Sequence, residues 1–155
     1  MFAQNSFNVN TQSIGVNSSF FVEIALDNTS EVTAFQFDIS HNDSAYELSN
    51  TSALTSRAEN HTLSVSTIDD NTIRVLVYSA ANEVISIGNG AILNLSFNSK
   101  NEPGTYNINL SDIVLSDANG ASLGVSSNSG SVTILGPRYN LVTSSVDFGE
   151  IPMES

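Results

Sequence analysis

Short runs of alternating apolar and polar residues, each closed by a turn former, recur along nearly the whole chain and leave little room for a helix. They lie at Phe7–Val9, Phe20–Leu26, Val32–Ile39, Tyr46–Leu48, Thr62–Thr67, Thr72–Tyr78, Ala91–Phe97, Tyr106–Leu110, Ile113–Leu115 and Val132–Leu135. Between them stand Asp27-Asn28, Asn42-Asp43, Asp69-Asp70-Asn71, Gly88-Asn89-Gly90, Pro103-Gly104, Asn119-Gly120 and Asn128-Ser129-Gly130, whose side chains and backbone freedom suit tight turns. About nine or ten short strands spaced roughly 8–12 residues apart are the pattern of a sandwich or jelly roll. The expected fold is therefore all-β, a nine-stranded β-sandwich with jelly-roll topology. The stretch Thr51–Asn60 is the one place for a helical turn or long loop, and its Arg57 is expected to pair with a nearby carboxylate.

Hydrophobic residues make up 40% of the chain, enough for a packed core, while only 13% are charged. The charges are lopsided, 16 acidic against 4 basic, for a formal net charge of -12. Such a surface argues against nucleic acid or an anionic membrane as partner, since both are bound through basic patches. Its plainest reading is colloidal solubility; a more specific one is attraction to a basic partner or to divalent cations. No apolar run approaches the ~20 residues needed to span a bilayer, so membrane insertion is not expected. The opening Met1-Phe2-Ala3-Gln4 reads like the stub left at a signal cleavage site, consistent with a secreted or cell-surface protein.

Catalytic patterns do not assemble. Cysteine is absent, which removes thiolate nucleophiles and cysteine-based metal sites. His41 and His61 lack metal-ligand spacing, sit beside strand ends, and are expected to be exposed and idle. There is no Gly-x-Ser-x-Gly elbow and no phosphate loop around Gly88-Asn89-Gly90. The acidic residues lie mostly in turns rather than in a cleft, so no enzyme is expected. Asp69, Asp70 and Asn71, or Asp117 with Asn119, offer the hard oxygen donors calcium prefers, but neither set has the spacing of a calcium-binding loop, and no cofactor is assigned beyond weak calcium.

The strand text in order resembles the cohesin family, the receptor modules that bind dockerins in cellulosomes and related bacterial assemblies. "SFNVNTQSIGVNSSFFVEIALDN" is similar to its first hairpin, and "VTAFQFDIS" followed by "YEL" to its third and short fourth strands. "NTIRVLVYSAANEVI" resembles the sixth strand and its loop, "GNGAILNLSFNSKNEPGTYNINLSDIVLSD" the seventh and eighth, and "GSVTI" the ninth. The likeness spans about residues 6–135. A boundary is expected at Gly136-Pro137, giving a module at 1–136 and, at 137–155, a linker and the truncated start of a following β-domain. There "VDFGEIPMES" resembles the opening of immunoglobulin-like surface repeats.

The resemblance implies a non-catalytic extracellular module whose partner, dockerin-like, docks on the face built from the third, fifth, sixth and eighth strands. Period-two alternation maps that face here. Phe35, Phe37 and Ile39 should point inward, leaving Ala34, Gln36 and Asp38 outward; Leu63 and Val65 inward, leaving Ser64 and Ser66 outward; Ile73, Val75 and Val77 inward, leaving Arg74, Leu76 and Tyr78 outward. An outward Leu and Tyr beside an Arg break an otherwise polar pattern, and Tyr and Arg are common at interface hot spots. The resemblance adds Leu123, in the loop before the last strand, as a further contact. The alternatives are a carbohydrate-binding module with a polysaccharide ligand, for which the chain has no Trp and only four Tyr, and a ligand-free spacer of an adhesin-like protein.

Overall fold

The computed structural model describes residues 5–136. Its elements are β1 (Asn5–Val9), β2 (Thr11–Gly15), β3 (Ser19–Asn28), β4 (Ala34–Ser40), β5 (Tyr46–Leu48), β6 (Ala53–Leu54), a 3-10 turn (Ser56–Ala58), β7 (Thr62–Asp69), β8 (Thr72–Tyr78), β9 (Gly88–Ser99), β10 (Gly104–Ser116), β11 (Val125–Asn128) and β12 (Gly130–Leu135). One sheet runs β11-β1-β3-β9-β5 with β6 also on β9; the other runs β2-β12-β10-β4-β8-β7. The strands alternate in burial as a sandwich requires, β3 for instance burying Phe20, Val22, Ile24 and Leu26 and exposing Phe21 and Glu23 between them. The core between the sheets is centred on Phe7, Phe35 and Phe37, with ring centroids 5.0 to 5.9 Å apart.

The all-β sandwich is as expected, but the described residues form twelve strands rather than nine. Three short strands, β2, β6 and β11, carry too few apolar residues to announce themselves. The eighth and ninth expected runs, Tyr106–Leu110 and Ile113–Leu115, are instead one strand, β10, bent by a bulge between Ser111 and Val114. Gly88-Asn89-Gly90 is not a turn but the start of β9, where Gly90 has φ 144°.

Two segments switch sheets side by side. The chain passes from β1 to β2 at Asn10 and from β11 to β12 at Ser129, with β1–β11 and β2–β12 both pairing in parallel. Gly130 lies against this double crossing: a Cβ there would sit 2.1 Å from the Asn10 carbonyl oxygen and 2.6 Å from that of Val9. The crossings stitch one long side of the sandwich. On the other side, bounded by β7 and by β5 and β6, no strand among the described residues joins the sheets.

Arg57 does not pair with a carboxylate. Its Nη1 donates to the carbonyls of Leu26 (2.6 Å) and Gly90 (3.1 Å), and its Nη2 to Asn28 Oδ1 (2.6 Å) and the Ser86 carbonyl (3.2 Å). A planar guanidinium with fixed donors suits this better than a lysine would, and it ties the end of β3 to the start of β9 and the loop before it. His41 is not exposed either. It is buried against Tyr46 and Phe97, and burial lowers its pKa, against the opposing charge of Asp43. His61 is half-buried with Nε2 3.0 Å from the Thr33 carbonyl. The polar neighbours of both residues in sequence give no sign of the Tyr46–Phe97 pocket that takes the His41 ring or of the Thr33 carbonyl that meets His61.

Candidate interaction face

Register converts the expected face into rows across neighbouring strands. Gln36 pairs with Leu76 on one side and Val114 on the other, and Leu76 pairs in turn with Ser64, so Ser64, Leu76, Gln36 and Val114 form one row. The next row is Ser66, Arg74, Asp38 and Ser111. At the other side Thr62 pairs with Tyr78, and Ala34 with Ser116. Seven of the eight residues expected to bind a partner are thus placed together on the outer surface of β7, β8 and β4. Leu123 is apart from them: it is half-buried against the core in the loop before β11, and its N–H bonds the Leu115 carbonyl.

Apolar surface gathers at one end of this face. Val114 is 49% exposed and Tyr78 41% exposed. Ala34, Gln36, Leu76, Val114 and Ser116 surround a shallow depression of about 220 Å³ floored by Phe35. Sequence alternation missed Val114 because the β10 bulge reverses parity. Leu110 opposes Ile39 and Leu115 opposes Phe35, both facing the core, although they are an odd five positions apart. The extra residue is absorbed at Asp112, which takes φ 50°. The signal that could have found it was the odd spacing between two apolar positions of one face.

The other end is polar and internally paired. Asp38 is nearly buried, and Arg74 covers it with two hydrogen bonds, Nε to Oδ1 at 2.8 Å and Nη2 to Oδ2 at 2.9 Å. The hydrogen bond from Arg74 holds the Asp38 carboxyl below its ordinary pKa, more than offsetting burial, and the same contact raises Arg74. Asp38 is therefore the buried half of a bidentate pair and presents Arg74 rather than itself. The candidate calcium residues spend oxygens on their own turns: Asp69 Oδ1 accepts the Asn71 N–H at 2.9 Å, and Asp117 Oδ1 those of Asn119 and Ala121.

Two face-packed sheets with paired strand crossings make this a jelly-roll β-sandwich, and solved structures share the fold. A cohesin from Clostridium acetobutylicum, known in solution, is 20% identical over 91% of this chain and 95% of its own, with a TM-score of 0.74. A Clostridium thermocellum cohesin solved as a type I cohesin–dockerin complex is 14% identical over 86% of this chain and 100% of its own, with a TM-score of 0.77. A non-cellulosomal cohesin from the hyperthermophilic archaeon Archaeoglobus fulgidus is 18% identical over 86% of this chain and 93% of its own, with a TM-score of 0.73. No curated protein matches the chain. The cohesin domain family model matches residues 6–134. The chain belongs to the cohesin domain family.

Proposed function

We propose that this domain is a non-catalytic receptor module that binds a dockerin-type protein partner on the outer face of β8, β4 and β10, within a multi-domain secreted or cell-surface protein. The observation that carries the reading is the row Leu76, Gln36 and Val114 with Tyr78 at its margin, apolar surface left open on a flat sheet. Family membership supports the partner class, and solved complexes of similar domains contain dockerins. Among the described residues no helix is long and apolar enough to cross a membrane. The expected following repeat at 137–155 lies outside the described residues, and the multi-domain setting stays part of this proposal.

Titration calorimetry against dockerins from the same genome tests it. Leu76→Asp and Val114→Asp are each expected to weaken binding by roughly 30-fold or more, the effect of losing a hot-spot contact of about 2 kcal/mol. Neither side chain belongs to the buried core, so the melting temperature should hardly move. If no dockerin binds, the partner class is wrong. If one binds and Leu76→Asp with Tyr78→Ala leaves it unaffected, the face is wrong.

A further inference from the structure

The unstitched side of the sandwich carries a second, different surface. The other sheet margins are short: β2 has five residues, β11 four and β5 three. β7 has eight, Thr62–Asp69, and among the described residues pairs with β8 alone. No hydrogen bond among the described residues takes the backbone of Thr62–Ile68 anywhere but to β8, so alternate N–H and C=O groups along its free side are open. Natural edges are usually blunted by charge, proline or brevity. The run Thr62-Leu63-Ser64-Val65-Ser66-Thr67-Ile68 has no charge and no proline, and its only irregularity is the shift between Thr67 and Asp69.

Beside this edge runs a groove between the two sheets. Its first part, about 340 Å³, is lined by Leu48, Leu63 and Val65 with Ser49, Asn50 and Ser52. It continues past Leu48 into a part of about 200 Å³ lined by Asp43, Glu47, Thr67 and Asp70. Of the three carboxylates there, Asp43 and Glu47 share one ammonium, Lys100, whose Nζ is 3.9 Å from Asp43 Oδ2 and 3.6 Å from Glu47 Oε1, and with Asp70 the net charge is -2. The groove is apolar at one end and acidic at the other, and it lies beneath the inward residues of an open strand.

We infer that the free edge of β7 is a strand-addition site for an extended partner segment, alternately apolar, with basic residues at the end that meets Asp43, Glu47 and Asp70. Such a segment continues the sheet by backbone pairing, sets alternate side chains over Leu48, Leu63 and Val65, and brings its cations to the acidic part. A second copy of this chain fits less well. The run Thr62–Asp70 offers no Lys or Arg to the acidic part of the groove, and two chains already at -12 repel.

The test uses the isotope-labelled 155-residue chain and a blocked peptide of alternating valine and threonine ending in two lysines, followed by backbone NMR. Saturable shifts are expected at the amides of Thr62–Thr67 and at Leu48. A version ending in two glutamates should bind roughly tenfold more weakly, and one N-methylated at every second residue should not bind, since it cannot donate along the edge. Val65→Lys should abolish binding, and the N-methylated peptide keeps the inference testable if that variant unfolds. Leu76→Asp on the outer face should change nothing, which separates this site from the dockerin reading. Absence of shifts, equal binding of the glutamate peptide, or shifts confined to Leu76 and Val114 would overturn the inference. Shifts in β7 that follow protein concentration alone would assign the edge to a second copy and overturn it too.

Discussion

Tyr46 is fully buried, its ring packed on Phe97 at 5.3 Å and on Phe20 at 5.8 Å, yet its Oη makes no hydrogen bond of normal geometry. A buried hydroxyl without a partner costs about 1–3 kcal/mol of stability. Tyr46→Phe keeps the ring, its edge contacts and its volume within one atom, so the substitution should stabilise the domain by about 1 kcal/mol at pH 8. For a chain of this size that corresponds to a rise of about 4 °C in melting temperature.

The pH dependence gives a second, independent readout. Burial pushes the Tyr46 phenol up to about 12 from its ordinary 10, a rise only partly offset by the backbone of Asn42. A group whose folded pKa is raised contributes stability that is complete below the unfolded value and is lost as pH climbs through the folded one. Between pH 10 and 12 the unfolded chain releases the phenolic proton first, so the native protein loses ground while Tyr46→Phe does not. At pH 11 the advantage of the variant should have widened by about 1.4 kcal/mol over its value at pH 8. Urea unfolding of both proteins at pH 8, 9.5 and 11, with the difference taken at each pH, cancels every contribution the two proteins share. A Tyr46→Phe protein less stable than wild type at pH 8 would mean that the Asn42 amide or a trapped water satisfies the hydroxyl. A difference that stays flat to pH 11 would refute the buried phenol itself.

Two further substitutions probe the devices that close the sandwich. Gly130→Ala should cost about 2–4 kcal/mol, because its Cβ meets backbone that cannot move without loosening both crossings, whereas Gly15→Ala, whose nearest contact would be Ser18 Oγ at 3.5 Å, should be close to neutral in the same urea titration. Arg57→Ala should cost about 1–3 kcal/mol by leaving the Leu26, Gly90 and Ser86 carbonyls without their donors. Arg57→Lys should recover less than half of that loss, and full recovery would show that charge rather than the guanidinium's geometry matters.

The legible parts of the chain were those where one physical rule acts alone. β5 and β8 have the bounds read from alternation because each has a clear apolar face and ends at turn residues. The placement of Gln36, Ser64, Ser66, Arg74, Leu76 and Tyr78 followed from the same rule, since β4, β7 and β8 pair without a slip until Thr67. Where a second rule intervenes the text misleads. The bulge at Asp112 is a backbone event marked in the sequence only by the odd spacing of Leu110 and Leu115, and it sets Val114 outward while Ile113 is half-buried. Asp38 was correctly set on the outer face, but its burial depends on Arg74 lying across it, a long-range contact between separate strands.

The same distinction bears on how the two surfaces of this domain differ. The outer face is made of side chains: Leu76, Val114 and Tyr78 project from β8 and β10, and the strands between the margins, β8 and β4, are paired on both sides. Its selectivity must therefore reside in shape and in the few groups around the depression, while Asp38 and Arg74 already satisfy each other. With Asp112 beside the pair, that polar end keeps one net negative charge, but the apolar end lies a row away from it, so salt should affect docking there only weakly. The β7 edge is the reverse case. Its open backbone accepts any extended strand, and choice is left to the apolar-to-acidic gradient of the groove beneath it. Raising salt should then weaken binding at the edge and spare the face, a contrast that follows from where each surface keeps its unpaired groups.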